Sequence, residues 1–264
     1  LDLDPDLKIH KNLGVKISEE GAVLLKNQNT LPLKEGAKVT VLGVRGYKSL
    51  GGRSGSFVVA NGLKESGLQI NPIMEAVYEP IRFSDMAPGW ASNKTYDFKY
   101  NPNEPSLAEL ANQNASYADS FGEYGEAAIV VLGRNNGDGA DYKPGTDGVA
   151  DGVGSRTALA LSSNEKAVVQ LACDNFSKVV VLITGVSPME LGELRDNDKI
   201  GAIMYIGIPA TYGCEGVGNL LQGKANPSGG LYDIYARNSL SSPAMRNMGH
   251  YELTNADLIT RKDT

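Results

Sequence analysis

The sequence predicts an α/β domain built on a parallel sheet with helices over both faces, and three observations carry that prediction. Four runs of strand length, 38–43 (KVTVLG), 127–132 (AAIVVL), 178–184 (KVVVLIT) and 200–206 (IGAIMYI), are apolar throughout and do not alternate. Strands buried on both faces read this way. Segments of helical periodicity lie between the runs, and strand–helix alternation implies an open sheet with right-handed crossovers. Glycine supplies 31 of the 264 residues, about 12% against a usual ~7%, without a three-residue period. It gathers behind two of the strand ends, in 43–56 and 133–154.

The elements follow in chain order. Ile9, Leu13, Ile17, Gly21, Leu24 and Leu25 recur at helical spacing, which predicts a helix over 7–26 with Asp6 as its N-cap. Pro32 follows it, and then the first strand. Residues 68–70 form a weaker strand candidate, with a helix over 72–78 behind it. Residues 82–126 are polar and aromatic and are interrupted by Pro88, Pro102 and Pro105, so they are expected as a long excursion on the domain surface. Ser162 with Glu165 three residues later is a capping box that opens a helix over 162–174. A shorter helical stretch, 215–222, ends at Gly223. No linker, repeat or low-complexity run divides the chain. The expected organisation is one α/β domain over 1–237 and an irregular tail over 238–264.

Composition excludes several classes of function. Hydrophobic residues make up 41% and charged residues 21%, as in an ordinary globular domain. No stretch of about 18 apolar residues exists that would span a membrane, so no membrane contact is expected from this segment. The start, LDLDPDLKIHKN, lacks the apolar core of a signal peptide. A net charge of −6 argues against a nucleic-acid partner. Cys173 and Cys214 fit neither a disulfide framework nor a zinc spacing, and no metal or cofactor is expected. His10 and His250 lie near opposite ends, and no Ser or Cys sits in a nucleophile elbow, so no catalytic triad is read. Asn93, Asn114 and Asn175 head glycosylation sequons, which matter only in a secreted eukaryotic protein.

In open α/β sheets ligands gather outside the carboxyl ends of the strands, so function is sought in the segments that follow them. The first carries Gly43-Val-Arg-Gly46 and then Gly51-Gly-Arg53-Ser54-Gly-Ser56. This is neither G-x-G-x-x-G nor a P-loop, which makes a flavodoxin-like nucleotide site the weakest reading. A flexible turn, or a backbone surface that admits a polar ligand, remain open for it. The second carries Gly133-Arg-Asn-Asn-Gly-Asp138-Gly-Ala-Asp141-Tyr142, with Asp147 and Asp151 behind. A calcium loop would need the D-x-D-x-D-G order and a closing Glu, which are absent. Either this is a solvated acidic loop, or Asp138 is an acid/base carboxylate on a glycine-flanked segment.

Several phrases together resemble one family. Glu20-Gly-Ala-Val-Leu-Leu-Lys-Asn27 with Leu31-Pro-Leu33, the Gly-Arg-Ser-Gly-Ser stretch at 52–56 and Val130-Val-Leu-Gly-Arg134 with Gly137-Asp-Gly-Ala-Asp141 come first. Leu161-Ser162 with Glu165, Ser187-Pro-Met-Glu-Leu191 and Asn226-Pro-Ser-Gly229 follow in order. This series, over 19–230, resembles the α/β sandwich domain of glycoside hydrolase family 3. The resemblance implies a three-layer α/β/α sandwich with a six-stranded, mostly parallel sheet. It implies retaining hydrolysis of a β-glycoside or oligosaccharide, with the aspartate nucleophile on a (β/α)8 barrel domain. The tail from Ser241 resembles the connection in members that place the sandwich first, so the barrel is expected beyond Thr264 of the same polypeptide. The isolated chain is then expected to be inactive.

By motif position Asp138 falls where the family places its acid/base glutamate, one methylene longer, and Asp141 falls on a supporting acidic residue. Arg53 and Ser54 match a loop whose donors would reach sugar hydroxyls, with a plain turn as the alternative. Trp90, with Tyr96 and Tyr100, would either form a sugar-stacking lip or pack the excursion onto the core. Glu190 matches a structural position more than a chemical one. The competing reading is a non-catalytic carbohydrate-binding or interdomain scaffold lobe.

Overall fold

A computed structural model describes residues 5–48, 57–81, 104–134 and 159–241. Helix α1 (Pro5–Gly21) leads into strands β1 (Val23–Asn27) and β2 (Lys38–Leu42), a one-turn helix α2 (Val44–Tyr47) and helix α3 (Val59–Glu65). Strand β3 (Gln69–Ile70), helices α4 (Pro72–Tyr78) and α5 (Leu107–Gln113), and strand β4 (Ala127–Gly133) come next. Helix α6 (Ser163–Asn175), strand β5 (Val179–Thr184), the short α7 (Gly192–Arg195), strand β6 (Ala202–Gly207) and helix α8 (Ala210–Leu221) follow.

The six strands form one sheet in the order β1-β6-β5-β4-β2-β3. All neighbours are parallel except β1, which runs antiparallel to β6. The unbroken apolar runs are explained by burial on both sides. Ala128, Val130 and Leu132 of β4 pack one way, with Val179, Val181 and Ile183, onto Met74, Tyr78, Leu110 and Val168. Ile129 and Val131 pack the other way, with Val39, Val41 and Leu182, onto Val59, Leu63, Val217 and Leu220. The result is a three-layer α/β/α sandwich, as expected.

Local chemistry places the helices over these faces. Ser162 and Glu165 form the capping box of α6, and Ser106 with Glu109 forms a second one on α5. The Asn71 side chain caps α4 by accepting from Ile73 N and Met74 N, while its amide donates to Thr40 Oγ1 and Ser120 Oγ. Helix α8 lies between α1 and α3, and small residues let it come close. A Cβ on Gly213 would sit 2.0 Å from Ser18 Oγ, and one on Gly62 of α3 would sit 2.2 Å from Cys214 Cβ.

Two sequence expectations change. The helix expected over 7–26 stops at Gly21, and Val23–Asn27 is an edge strand. The leucines at 24 and 25 fit a helical period as well as a strand, and only pairing with β6 decides between them. The stripe Ile9, Leu13, Ile17 marks a helix but not its packed face: these residues are 62%, 54% and 61% exposed. The face toward α8 is made by Lys11, Gly14, Ser18 and Glu19, whose side chains or backbone meet Glu215, Tyr212, Gly213 and Asn219. Helix α8 also begins at Ala210, ahead of the expected 215.

Of the excursion expected over 82–126, residues 104–126 are described. They carry α5 and a 3₁₀ turn (Tyr117–Phe121), and Leu110, Tyr117 and Phe121 are buried in the same cluster as β4.

Candidate active site

Strand β2 pairs with β3 on one side and with β4 on the other, so the chain winds outward from β2, then returns to begin the opposite direction. That junction is the topological switch point, where a doubly wound sheet leaves a crevice at its carboxyl end. Strands β2 and β4 end here at Leu42 and Gly133. Glycine at both ends is dictated by space and backbone. Gly43 has φ 93° and lies against the Val131 carbonyl, and a Cβ on Gly133 would stand 1.9 Å from Thr184 O.

A buried polar cluster fills the junction. Glu104 is 5% exposed, and its Oε2 accepts from Val44 N at 2.8 Å. Its Oε1 accepts from the Tyr78 hydroxyl at 3.2 Å, and Tyr78 Oη accepts from Gly43 N at 3.0 Å. The Tyr47 ring stacks on Tyr78 with centroids 5.0 Å apart. Desolvation pushes the Glu104 carboxyl up from 4.5 to about 8; the Val44 N–H opposes this, the Glu165 charge adds to it, and Tyr78 and Arg45 oppose it. Burial likewise holds the Tyr78 phenol well above its usual 10. The Glu104 carbonyl accepts from Asn164 Nδ2 at 2.8 Å, which ties this residue to the first turn of α6.

The second half of the cluster is Arg134, 1% exposed. Its Nη1 donates to Glu165 Oε1 at 2.7 Å and to Gly133 O at 2.8 Å. Its Nη2 donates to Glu165 Oε2 at 2.8 Å and to Ala160 O at 2.6 Å. Glu165 Oε2 also accepts from Ser162 N at 2.8 Å. This is a two-pronged guanidinium–carboxylate pair whose planar geometry a lysine would not reproduce.

Asp138, Asp141, Arg53, Ser54 and Trp90 lie outside the described residues, as do Tyr96, Tyr100, Asp147 and Asp151. The structure describes the ends of the segments that carry them. Arg45, Tyr47 and Lys48 precede 49–56, Glu104 follows 82–103, and Arg134 precedes 135–158, with Ala160, Ser162 and Glu165 behind it. Hydrogen bonds Val44–Glu104 and Asn164–Glu104 gather ends of all three segments at the switch point.

Sequence reasoning missed Glu104, Tyr78 and Arg45 as site-building residues. Glu104 sits in a polar, proline-flanked stretch whose burial no periodicity signals. It also missed the tyrosines at the ends of β5 and β6: Tyr205 Oη donates to Gly185 O at 2.9 Å, and Tyr232 Oη donates to Val186 O at 2.7 Å. Val186, Ile208, Leu231 and Ile234, neighbours of these groups in sequence, are exposed. Glu190 accepts from the backbone and hydroxyl of Ser239, and so fastens the chain that enters the tail.

The described residues define a doubly wound α/β sandwich with a buried polar cluster at its switch point. The chain belongs to glycosyl hydrolase family 3: residues 22–256 match the family's C-terminal domain. It is 28% identical over 246 residues to a β-glucosidase from Ruminococcus albus, a match covering 88% of this chain and 23% of that protein. It is also 28% identical to β-glucosidase A from Butyrivibrio fibrisolvens, with 86% and 29% covered. Among solved structures, β-glucosidase 3B from Thermotoga neapolitana, in complex with glucose, superposes with a TM-score of 0.68 at 24% identity. That match covers 94% of this chain and 34% of the other and shows the shared fold. The chain thus spans between 23% and 34% of the length of these relatives, and it is a glycosidase-associated domain.

Proposed function

We propose that this domain is the acid/base lobe of a retaining β-glycosidase of the β-glucosidase type. The observation that carries the reading is the root of segment 135–158 at the switch point, directly after β4, in a chain of this family. Asp138 protonates the leaving oxygen of a β-glycoside or oligosaccharide and then takes a proton from the attacking water. The nucleophile is an aspartate on a (β/α)8 barrel domain of the same polypeptide, with the two carboxyl groups about 5–5.5 Å apart in such reactions. Asp141 orients Asp138. Arg53 and Ser54 donate to sugar hydroxyls, and the Trp90 ring stacks on an apolar sugar face.

The test is Asp138→Asn in the complete gene product that carries this chain. Hydrolysis of a glycoside with a poor leaving group is expected to fall by about 10²–10⁴-fold, since proton donation supplies that much. A dinitrophenyl glycoside, whose leaving group needs no proton, should lose far less in the glycosylation step. Unchanged turnover of the poor substrate removes Asp138 from the role. A second reading, a non-catalytic carbohydrate-binding or scaffold lobe, is favoured by one observation: Asp138 is a methylene shorter than the family's glutamate. It requires that same unchanged turnover.

A further inference from the structure

The Arg134–Glu165 pair holds both ends of segment 135–158 through one guanidinium. Arg134 stands just before the segment and binds the Gly133 carbonyl, and it also binds the Ala160 carbonyl and Glu165, which lie behind the segment. The two side chains are 0% and 2% exposed. Buried ion pairs are poor stabilisers, and well-packed apolar residues of the same volume often serve stability equally well. What apolar residues lack is direction: the planar fork fixes the separation and heading of every group it binds. Asp138 is four residues beyond Arg134 in the sequence, and for a proton-transferring group a misplacement near 1 Å costs about 10²-fold in rate.

We propose that Arg134 and Glu165 are positioning residues for the acid/base step: their pairing sets the two ends of segment 135–158 and thereby the reach of Asp138 to the leaving oxygen. The proposal rests on the reading of Asp138 as the acid/base. Its test uses the complete gene product with three changes, Arg134→Lys, the double replacement Arg134→Met with Glu165→Leu, and Asp138→Asn as reference. Each is assayed on a glycoside with a poor leaving group and on a dinitrophenyl glycoside. For Arg134→Lys, kcat/KM on the poor substrate is expected to fall by about 10–10²-fold and on the activated one by less than about threefold. The double replacement removes both charges of the pair together and is expected to show the same selective loss.

General destabilisation lowers the folded fraction and therefore both substrates equally, which is the readout a merely structural role produces. If Asp138→Asn is selective while Arg134→Lys and the double replacement lower both substrates alike, or neither, the positioning role is overturned and the Asp138 reading stands. If Asp138→Asn is itself unselective, the Asp138 reading falls and this proposal falls with it. Should one Arg134 replacement fail to fold, the other decides.

Discussion

Glu104 shows how one residue can bind loops together and carry a thermodynamic signature. Its carboxyl is raised from 4.5 to about 8, first by desolvation, with Glu165 reinforcing and Val44 N–H, Tyr78 and Arg45 opposing. Between those two values the folded chain holds this proton and the unfolded chain does not. The folded state therefore binds more protons, and stability falls as pH rises. The contribution is full below about pH 4.5, fades up to about pH 8 and is gone above it, on the order of 4–5 kcal/mol at most. Urea unfolding of the chain at pH 5, 6.5 and 8 should show this decline, and Glu104→Gln, which has no proton to lose, should flatten it. Parallel slopes for both proteins would contradict the burial of an ionisable Glu104. Nothing in the sequence announced this residue: a lone glutamate between Asn103 and Pro105 reads as loop. Its burial comes from contacts with Val44 and Tyr78, distant in sequence.

At the scale of the elements, glycine does two different jobs. On α3, Gly62 meets α8 so closely that an added Cβ would stand 2.2 Å from Cys214 Cβ and 2.4 Å from its carbonyl carbon. Gly62→Ala must push the helices apart, and a loss of about 1–3 kcal/mol is expected from such overpacking. At Gly21, the last residue of α1, an added Cβ would meet nothing within 4 Å. Gly21→Ala should be neutral or stabilise by up to about 1 kcal/mol through helix propensity. Thermal unfolding of the two variants should shift Tm in opposite senses or leave the second unmoved; a drop for both would refute the packing assignment. The helix period of α1 was legible in Ile9, Leu13 and Ile17. Its buried face was not, because small and charged residues make it, and only the neighbouring α8 explains them.

At the scale of the molecule, described residues that flank 49–56, 82–103 and 135–158 are tied together at the switch point by the Val44–Glu104 and Asn164–Glu104 hydrogen bonds. If the nucleophile belongs to a partner domain, residues 1–264 alone hold half of a two-carboxyl site. The isolated chain should then show no turnover of a nitrophenyl glucoside above buffer; clear turnover would overturn the division of labour between domains. The parallel sheet was readable in the primary structure, because runs buried on both faces are apolar, and so was the family, through short phrases kept in order. Glycine-rich stretches follow β2 and β4, and the second of them carries the candidate carboxylates Asp138 and Asp141. What needed the folded chain is that Val23–Asn27 is an antiparallel edge, that α1 buries its polar face, that Arg134 pairs with Glu165, and that Glu104 lies near enough to feel the Glu165 charge. The physical reason is range. Apolar runs and capping boxes act between residues close in sequence and are written locally, whereas buried charges are tolerated only where distant parts of the chain supply their partners.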